Sequence, residues 1–289
     1  MKLNINKEMD QAVWRALAED QAGRDITSRL LLESKQKIEA VIWSRESGVL
    51  CGLDIARRVF LRMDPGCKFT ALARDGQSLR ANQKVARVKG CARGILAAER
   101  TALNFLQHLS GVATLTRAFG QKMRGTRTLI YDTRKTIPGL RALQKYAVRC
   151  GGGQNHRFDL AEAAMVKDNH INILAGGRQQ LMQLKRRLPK GKRLIIEAEN
   201  IEQVKTALAA QADIILLDNM TLAKLSAAVR FIHQGWKSCG AGVRPQIEIS
   251  GGVTLESAAR YARLGADRIS VGCLTHSSRA LDLSMEIVK

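Results

Sequence analysis

The stretch "RLIIEAENIEQVKTALAAQADIILLDN", Arg193–Asn219, decides the fold. Two short aliphatic runs each end on a carboxylate, Glu197 and Asp218, and a segment of helical length separates them. Such runs suit strands buried on both faces of a parallel sheet. The pattern recurs on both sides. "TLIYD" ends at Asp132, "AAMVK" at Lys167, "QIEIS" at Ser250 and "DRISVG" at Gly272. Successive endpoints lie 35, 30, 21, 32 and 22 residues apart, the size of a βα unit. The series predicts parallel strands covered by helices, closing into an open or incomplete β/α barrel in preference to a doubly wound sheet. In either arrangement ligands gather at the carboxyl ends of the strands, so the polar endpoints are expected to face one cavity.

The first 95 residues read differently, as a helical opening followed by short strands such as "IEAVIWS" and "KVARVKG" with "DPG" and "DG" turns between them. This is an α+β region. Between the halves, "AERTALNFLQHLSGVATLTRAF" sets Leu103, Leu106, Leu109, Val112 and Ala113 along one face of a long helix, with Arg100 near its start. The expected domains are residues 1–110, an N-terminal sandwich on which residues 275–289 pack back, and residues 111–274, the catalytic barrel.

A 289-residue chain with 45% hydrophobic residues has ample material for a core. It has no apolar run of membrane-spanning length, and charges occupy the N-terminal stretch where a signal peptide is apolar, so a cytoplasmic protein is expected. Six cysteines, at 51, 67, 91, 150, 239 and 273, form neither C-x-x-C pairs nor zinc-like Cys/His spacing, and read as reduced, mostly small core residues. The net charge of +21 attracts anions. With only 4% aromatic residues, a platform for stacking nucleic-acid bases is poorly supplied, and a small polyanion is the better match. The basic run "KRRLPKGKR", Lys185–Arg193, reads as a solvated helix end and loop.

Candidate chemistry clusters at the strand ends. Arg134 and Lys135, flanked by Thr133 and Thr136, combine a guanidinium with an ammonium, suited to carboxylates and phosphates. Adjacent residues on a regular strand face opposite ways, so His156 and Arg157 reach one ligand only if Gly151, Gly152 and Gly153 make the backbone irregular. Lys167 adds a further cation. Glu197 and Asp218 could hold Mg²⁺, orient sugar hydroxyls or act as acid and base, or merely pair with lysines. Ser250, Gly251 and Gly252, with Gly272 in "SVGCLT", mark the corner where barrels bind phosphate. No activated serine or cysteine nucleophile accompanies them. Such a site would join or split anionic phosphorylated molecules by positioning and electrostatics.

The strings "AERTALNFLQHLSGVAT", "DTRKTIPGLRALQKYAVRCGGGQNHRF", "KDNHI", "LLDN", "SGGV" and "SVGCLTHS" together resemble the quinolinate phosphoribosyltransferase family, a type II phosphoribosyltransferase group, and the likeness runs from "EDQAGRDITS" to "ALDLSMEI". The resemblance implies an α/β sandwich with an open seven-stranded barrel, and an Mg²⁺-dependent transfer of phosphoribose to quinolinate with loss of carbon dioxide. It implies substrate binding by Arg134, Lys135, His156, Arg157 and Lys167, with Arg100 supplied by the second subunit of a dimer. It further implies Lys135, Glu197 and Asp218 at the reacting centre, Glu197 and Asp218 near the metal, and Ser250, Gly251, Gly252 and Gly272 at the 5′-phosphate. Neither a specific nucleic acid nor a membrane is an expected partner. One departure is Ile195, which stands where a further glutamate is common in the family. A related enzyme with another acceptor is the nearest alternative, and a basic nucleic-acid-binding protein is the alternative outside enzymes.

Overall fold

The computed structural model describes residues 5–173, 177–236 and 243–288; Cys239 lies outside them. The chain divides into two compact units, the first comprising Met1–Arg117, Lys135–Gly153 and Cys273–Lys289, the second Ala118–Arg134 and Gln154–Gly272.

The first unit is built on an antiparallel sheet. Strands β1 (Lys37–Ser44), β2 (Gly48–Val49), β3 (Lys68–Ala71), β4 (Ser78–Leu79) and β5 (Gln83–Cys91) follow in order, β2 pairing with β4 in a small separate ribbon. The main sheet places β1 at its centre between β5 and the C-terminal strand Leu283–Ile287, with β3 beyond β5. Helix Leu53–Met63 buries Ile55, Ala56, Val59 and Phe60, the spacing of a single helical stripe. Its start is fixed by Asp75, whose Oδ1 accepts the Gly52 and Leu53 N–H groups at 3.0 and 3.1 Å.

The long helix spans Ala92–Lys122, and Leu103, Leu106, Leu109, Val112 and Ala113 are all buried as their spacing predicts. The C-terminal segment crosses this helix. Leu281 N–H donates to the Gln107 carbonyl at 3.0 Å and Gln107 Nε2 donates to the Leu283 carbonyl at 2.8 Å. At the crossing, a Cβ on Gly111 would lie 2.1 Å from the Arg279 carbonyl oxygen. These contacts explain why the first unit extends past residue 110 to Arg117. Helix Arg141–Cys150 also belongs to the first unit, because it packs on the helix Ile5–Glu19.

The second unit carries β6 (Leu129–Tyr131), β7 (Ala163–Val166), β8 (Arg193–Ala198), β9 (Ile214–Asp218), β10 (Gln246–Ser250) and β11 (Arg268–Ser270). All six pair in parallel in the order β6-β11-β10-β9-β8-β7. The last strand returning to the first is barrel topology. The seventh position is occupied by one parallel bridge, Tyr131 to Gln154, and among the described residues no pairing joins Gln154 to β7. The barrel is open there.

Inter-strand helices seal the outside. Ile201–Ala209 is capped by the Asn200 side chain, which accepts Gln203 N–H at 3.0 Å, and Leu222–Gly235 buries Leu225, Ala228, Val229 and Ile232. The basic run from Lys185 is indeed a helix end and loop, with Lys185 paired to Asp213. Strand alternation puts Ile195 and Glu197 on one face. Ile195 packs with Ala163, Ile214, Leu216 and Met165 in an apolar layer, so its side chain leaves no unmet polar demand.

Two glycines of one helix test the crossing contact. Gly-to-Ala in a helix interior ordinarily stabilises by about 0.5–1 kcal/mol. At Gly120, where an added Cβ meets nothing within 4 Å, Gly120→Ala is expected to raise Tm. Gly111→Ala should lower it by several degrees, because overpacking against backbone costs about 1–3 kcal/mol. Thermal unfolding that shifts both variants upward would remove the crossing as a constraint.

Candidate active site

The carboxyl end of the barrel is organised around a fully buried carboxylate that the sequence patterns passed over as a strand terminus. Asp132, just past β6, accepts the His156 N–H at 2.8 Å on Oδ1 and the Asn155 side-chain amide at 2.6 Å on Oδ2, while its own N–H donates to the Gln154 carbonyl at 3.1 Å. This pins the segment following the three glycines against the strand end. Those glycines are required for different reasons. A Cβ on Gly151 would lie 2.5 Å from the Ala113 carbonyl and one on Gly153 would lie 2.7 Å from the Thr116 methyl, whereas Gly152 has φ +92°.

The ring of His156 is hydrogen-bonded through Nδ1 and lies close to a carboxylate, without a hydrogen bond to it, on its other side. Its Nδ1 accepts the Arg157 N–H at 2.8 Å, which places the proton on Nε2, and Nε2 faces the fully buried Glu248 at 3.3 Å. Glu248 also lies 3.7 Å from Arg268, whose guanidinium stacks over Tyr131 at 4.5 Å from the ring centroid. Through its Nδ1, His156 steadies the backbone N–H of Arg157, the next residue of the loop.

Arg157 is half-buried and forms no ion pair with a carboxylate among the described residues: one guanidinium nitrogen donates to the Ala163 carbonyl at 3.0 Å, the other rests 3.3 Å from the Met165 sulfur. Burial pulls its pKa down, Arg134 beside it pulls further in the same direction, and Asp159 opposes both. Arg134 has a buried Nε with no hydrogen-bond partner. Two guanidinium groups, like-charged and underprovided with acceptors, therefore share this part of the site. An anion bound between them would relieve both deficits.

Opposite in sign is the end of β8 and β9. Glu197, Glu199 and Asp218 can each bring an oxygen within 4.8 Å of the others. Lys167 Nζ donates to Glu197 at 3.1 Å. Burial pushes the Glu197 carboxyl up, Lys167 works against that, and Asp218 and Asp168 add to the rise. The all-oxygen donor set fits a hard divalent cation such as Mg²⁺. Glu199 was legible as the alternate residue of "IIEAEN" but falls one position beyond the strand.

Ser250 is register-paired with Asp218 across β10 and β9. After it, Gly251 and Gly252 have φ of +89° and +60°. A Cβ on Gly251 would collide with Asn219 at 2.2 Å, while around Gly252 there is nothing within 4 Å, so a ligand can approach the backbone there. Asn219, itself at φ +50°, donates its side-chain amide to Asp218 at 2.7 Å. It ties the acidic cluster to the glycine turn.

Of the other expected residues, Gly272 follows β11 in the same unit, whereas Lys135 and Arg100 belong to the first unit. The Lys135 carbonyl accepts the Thr275 hydroxyl at 2.6 Å. Arg100 lines a first-unit cavity of about 580 Å³ with Arg15, Glu19, Asn104, His108 and Pro138.

Cations for carboxylates, oxygens for a metal or hydroxyls, and a glycine turn open to a phosphate define a site for a multiply anionic, phosphorylated ligand. Residues 25–110 match the family described as quinolinate phosphoribosyl transferase, N-terminal domain, and residues 112–286 match its C-terminal domain. The chain belongs to the quinolinate phosphoribosyltransferase family. It is 41% identical to the probable nicotinate-nucleotide pyrophosphorylase [carboxylating] of Synechocystis sp. over 97% of this chain and 93% of that one. The corresponding enzyme of Mycobacterium leprae is 40% identical, covering 95% of each chain. Among solved structures, the nicotinate-nucleotide pyrophosphorylase from Francisella tularensis superposes with a TM-score of 0.89 at 38% identity, covering 99% of this chain and 98% of that chain.

The raised Glu197 pKa has a stability consequence. The folded state holds this proton more tightly than the unfolded chain, so stability from the protonated form is full below the ordinary glutamate value and is lost as pH rises through the raised one. In ligand-free protein, Glu197→Gln should therefore raise Tm at pH 7 and lose that advantage near pH 4. A variant that is relatively less stable at pH 7 would show that the Lys167 ion pair outweighs burial.

Proposed function

We propose that this chain catalyses transfer of phosphoribose from phosphoribosyl pyrophosphate to the ring nitrogen of quinolinate, releasing pyrophosphate and carbon dioxide and forming nicotinate mononucleotide for NAD synthesis. The observation that carries the reading is the Arg134–Arg157 pair, two neighbouring guanidinium groups with no ion pair among the described residues, within a family-matched barrel. Quinolinate, a dianion, supplies what they lack. The substrate's ring nitrogen is the nucleophile, which agrees with a site that offers no activated serine or cysteine.

In this reading Arg134, Arg157 and Lys167 hold the acceptor's carboxylates, with His156 bracing the loop that carries Arg157. Lys135 approaches the pyrophosphate. Gly251, Gly252, Ser250 and Gly272 cradle the 5′-phosphate with backbone N–H groups. Glu197 and Asp218 accept the ribose hydroxyls and stabilise the positive charge that develops on the sugar as the leaving group departs. Glu197 and Asp218 would hold Mg²⁺, largely through substrate and water, and that ion would supply positive charge to the leaving pyrophosphate. Once the ring nitrogen is alkylated, its positive charge stabilises the carbanion left by departing carbon dioxide. The protein's part in that step is to hold the carboxylate away from water.

The reading includes a dimer in which Arg100 of a second copy completes the acceptor pocket. Among the described residues no helix is long and apolar enough to cross a membrane.

The direct test follows nucleotide and carbon dioxide from phosphoribosyl pyrophosphate and Mg²⁺ with quinolinate or nicotinate as acceptor. Turnover confined to quinolinate, with carbon dioxide equal to nucleotide, is expected; turnover with nicotinate alone would transfer the reading to another acceptor. Arg134→Ala should lower kcat/KM by about 10²-fold or more, the usual cost of a fixed electrostatic donor. Mixing Arg100→Ala with Arg157→Ala protein under subunit exchange should restore part of the activity through hybrid sites. No restoration would count against the shared pocket.

A further inference from the structure

Away from the proposed active site, the first unit brings two cysteines from distant parts of the chain together. Cys51 precedes helix Leu53–Met63 and Cys150 ends helix Arg141–Cys150, and the two Sγ atoms and an Asp75 oxygen all lie within 4.8 Å of one another. Neither backbone is loose. Cys51 N–H donates to Ser110 Oγ at 2.9 Å and its carbonyl accepts the Ser110 hydroxyl at 3.2 Å. On the other side Arg117 donates from Nε to the Gly151 carbonyl at 2.9 Å and from a terminal nitrogen to the Cys150 carbonyl at 3.4 Å. The thiols lie within 4.8 Å of one another across a framework that holds both residues in place.

Asp75 is not free to act as a metal ligand. Its Oδ1 takes the Gly52 and Leu53 N–H groups and its Oδ2 takes the Tyr146 hydroxyl at 2.9 Å. That leaves two thiols and no hard donor, which favours sulfur–sulfur chemistry over a metal centre. The two cysteines also differ in the way a redox pair needs. Cys150 is partly exposed while Cys51 is buried. A hydrogen bond from the Cys51 thiol holds Cys150 below the ordinary thiol range, whereas burial pushes Cys51 well above it.

We propose that Cys51 and Cys150 form a peroxide-sensitive thiol pair that oxidises to an intramolecular disulfide. The Cys150 thiolate attacks a peroxide oxygen: an S–O bond forms, the O–O bond breaks, and the leaving hydroxide takes a proton to become water. The Cys51 sulfur then displaces the oxygen from Cys150, forming the S–S bond. The Cys51 proton leaves with that oxygen as a second water. Two thiols are oxidised and one hydrogen peroxide is reduced to two waters. The disulfide ties the segment that begins with Gly151 to the start of helix Leu53–Met63, so oxidation stiffens the root of the glycine loop without touching a residue assigned to the reaction.

The test uses the full chain, reduced and then exposed to equimolar hydrogen peroxide in the absence of thiols. Peptide mapping under non-reducing conditions should show a Cys51–Cys150 linkage and an intact mass lower by two hydrogens. The thiol count under denaturing conditions should fall from the six of the sequence to four, and dithiothreitol should reverse all of these changes. Tm of the oxidised protein should rise. In Cys51→Ala, Cys150 should instead accumulate as a sulfenic acid trapped by a dimedone probe, giving a readout that does not depend on disulfide stability. Linkage through any other cysteine, or equal sulfenic trapping in wild type and Cys51→Ala, would overturn the proposal. So would stoichiometric Zn²⁺ bound by the reduced wild type and not by Cys51→Ala.

Discussion

Two like charges held side by side, Arg134 and Arg157, are the constraint on which the site depends. Removing guanidinium groups from water without a counter-ion is unfavourable, and the protein sustains it only because the surrounding backbone is fixed by other means. Asp132 is the principal fastening, since one buried carboxylate holds the turn through three hydrogen bonds made by its side chain and its own N–H. In the proposed reaction the anion that relieves the two arginines is the substrate. Binding energy is thus stored as unmet electrostatic demand, and charge concentrates where chemistry needs it.

The glycines before His156 acquire their meaning from this arrangement. Gly151 and Gly153 allow the chain to lie directly against the long helix, and Gly152 supplies a left-handed turn between them. The result is an irregular path on which His156 and Arg157 do different work. The imidazole turns inward toward Glu248, and its Nδ1 receives the N–H of Arg157. Two neighbouring residues that a strand would send to opposite faces are instead coupled, one steadying the other.

Much of this was legible in the sequence, and the limits have physical causes. Strand ends at Asp132, Lys167, Glu197, Asp218, Ser250 and Gly272 follow from aliphatic runs and their spacing, because buried parallel strands leave a continuous apolar signature. The long helix was legible for the same reason. The crossing of the long helix by the C-terminal segment was not legible, since helical periodicity continues smoothly through it and nothing local at Gly111 announces Arg279. The roles of Asp132, Glu248 and Asn219 were also hidden. Each depends on a partner distant in sequence, and a lone carboxylate or amide at a strand end carries no local mark of whether it binds a ligand or holds a loop.

The barrel interior shows how a single strand face can serve two purposes. Along β8 the inward residues run from Ile195 to Glu197, and along β9 from Ile214 and Leu216 to Asp218, so an apolar layer lies beneath an acidic rim. Along β10, Glu248 occupies the interior at zero exposure, balanced by Arg268 and the His156 ring. An apolar floor lowers the local dielectric under the rim, which is why burial is the leading cause of the raised Glu197 pKa even with Lys167 in contact. Ile195 belongs to that floor. A carboxylate in its place would add a fourth acidic group beneath Glu197, Glu199 and Asp218 and raise their pKa values further, so the aliphatic residue favours an acidic rim that can still ionise.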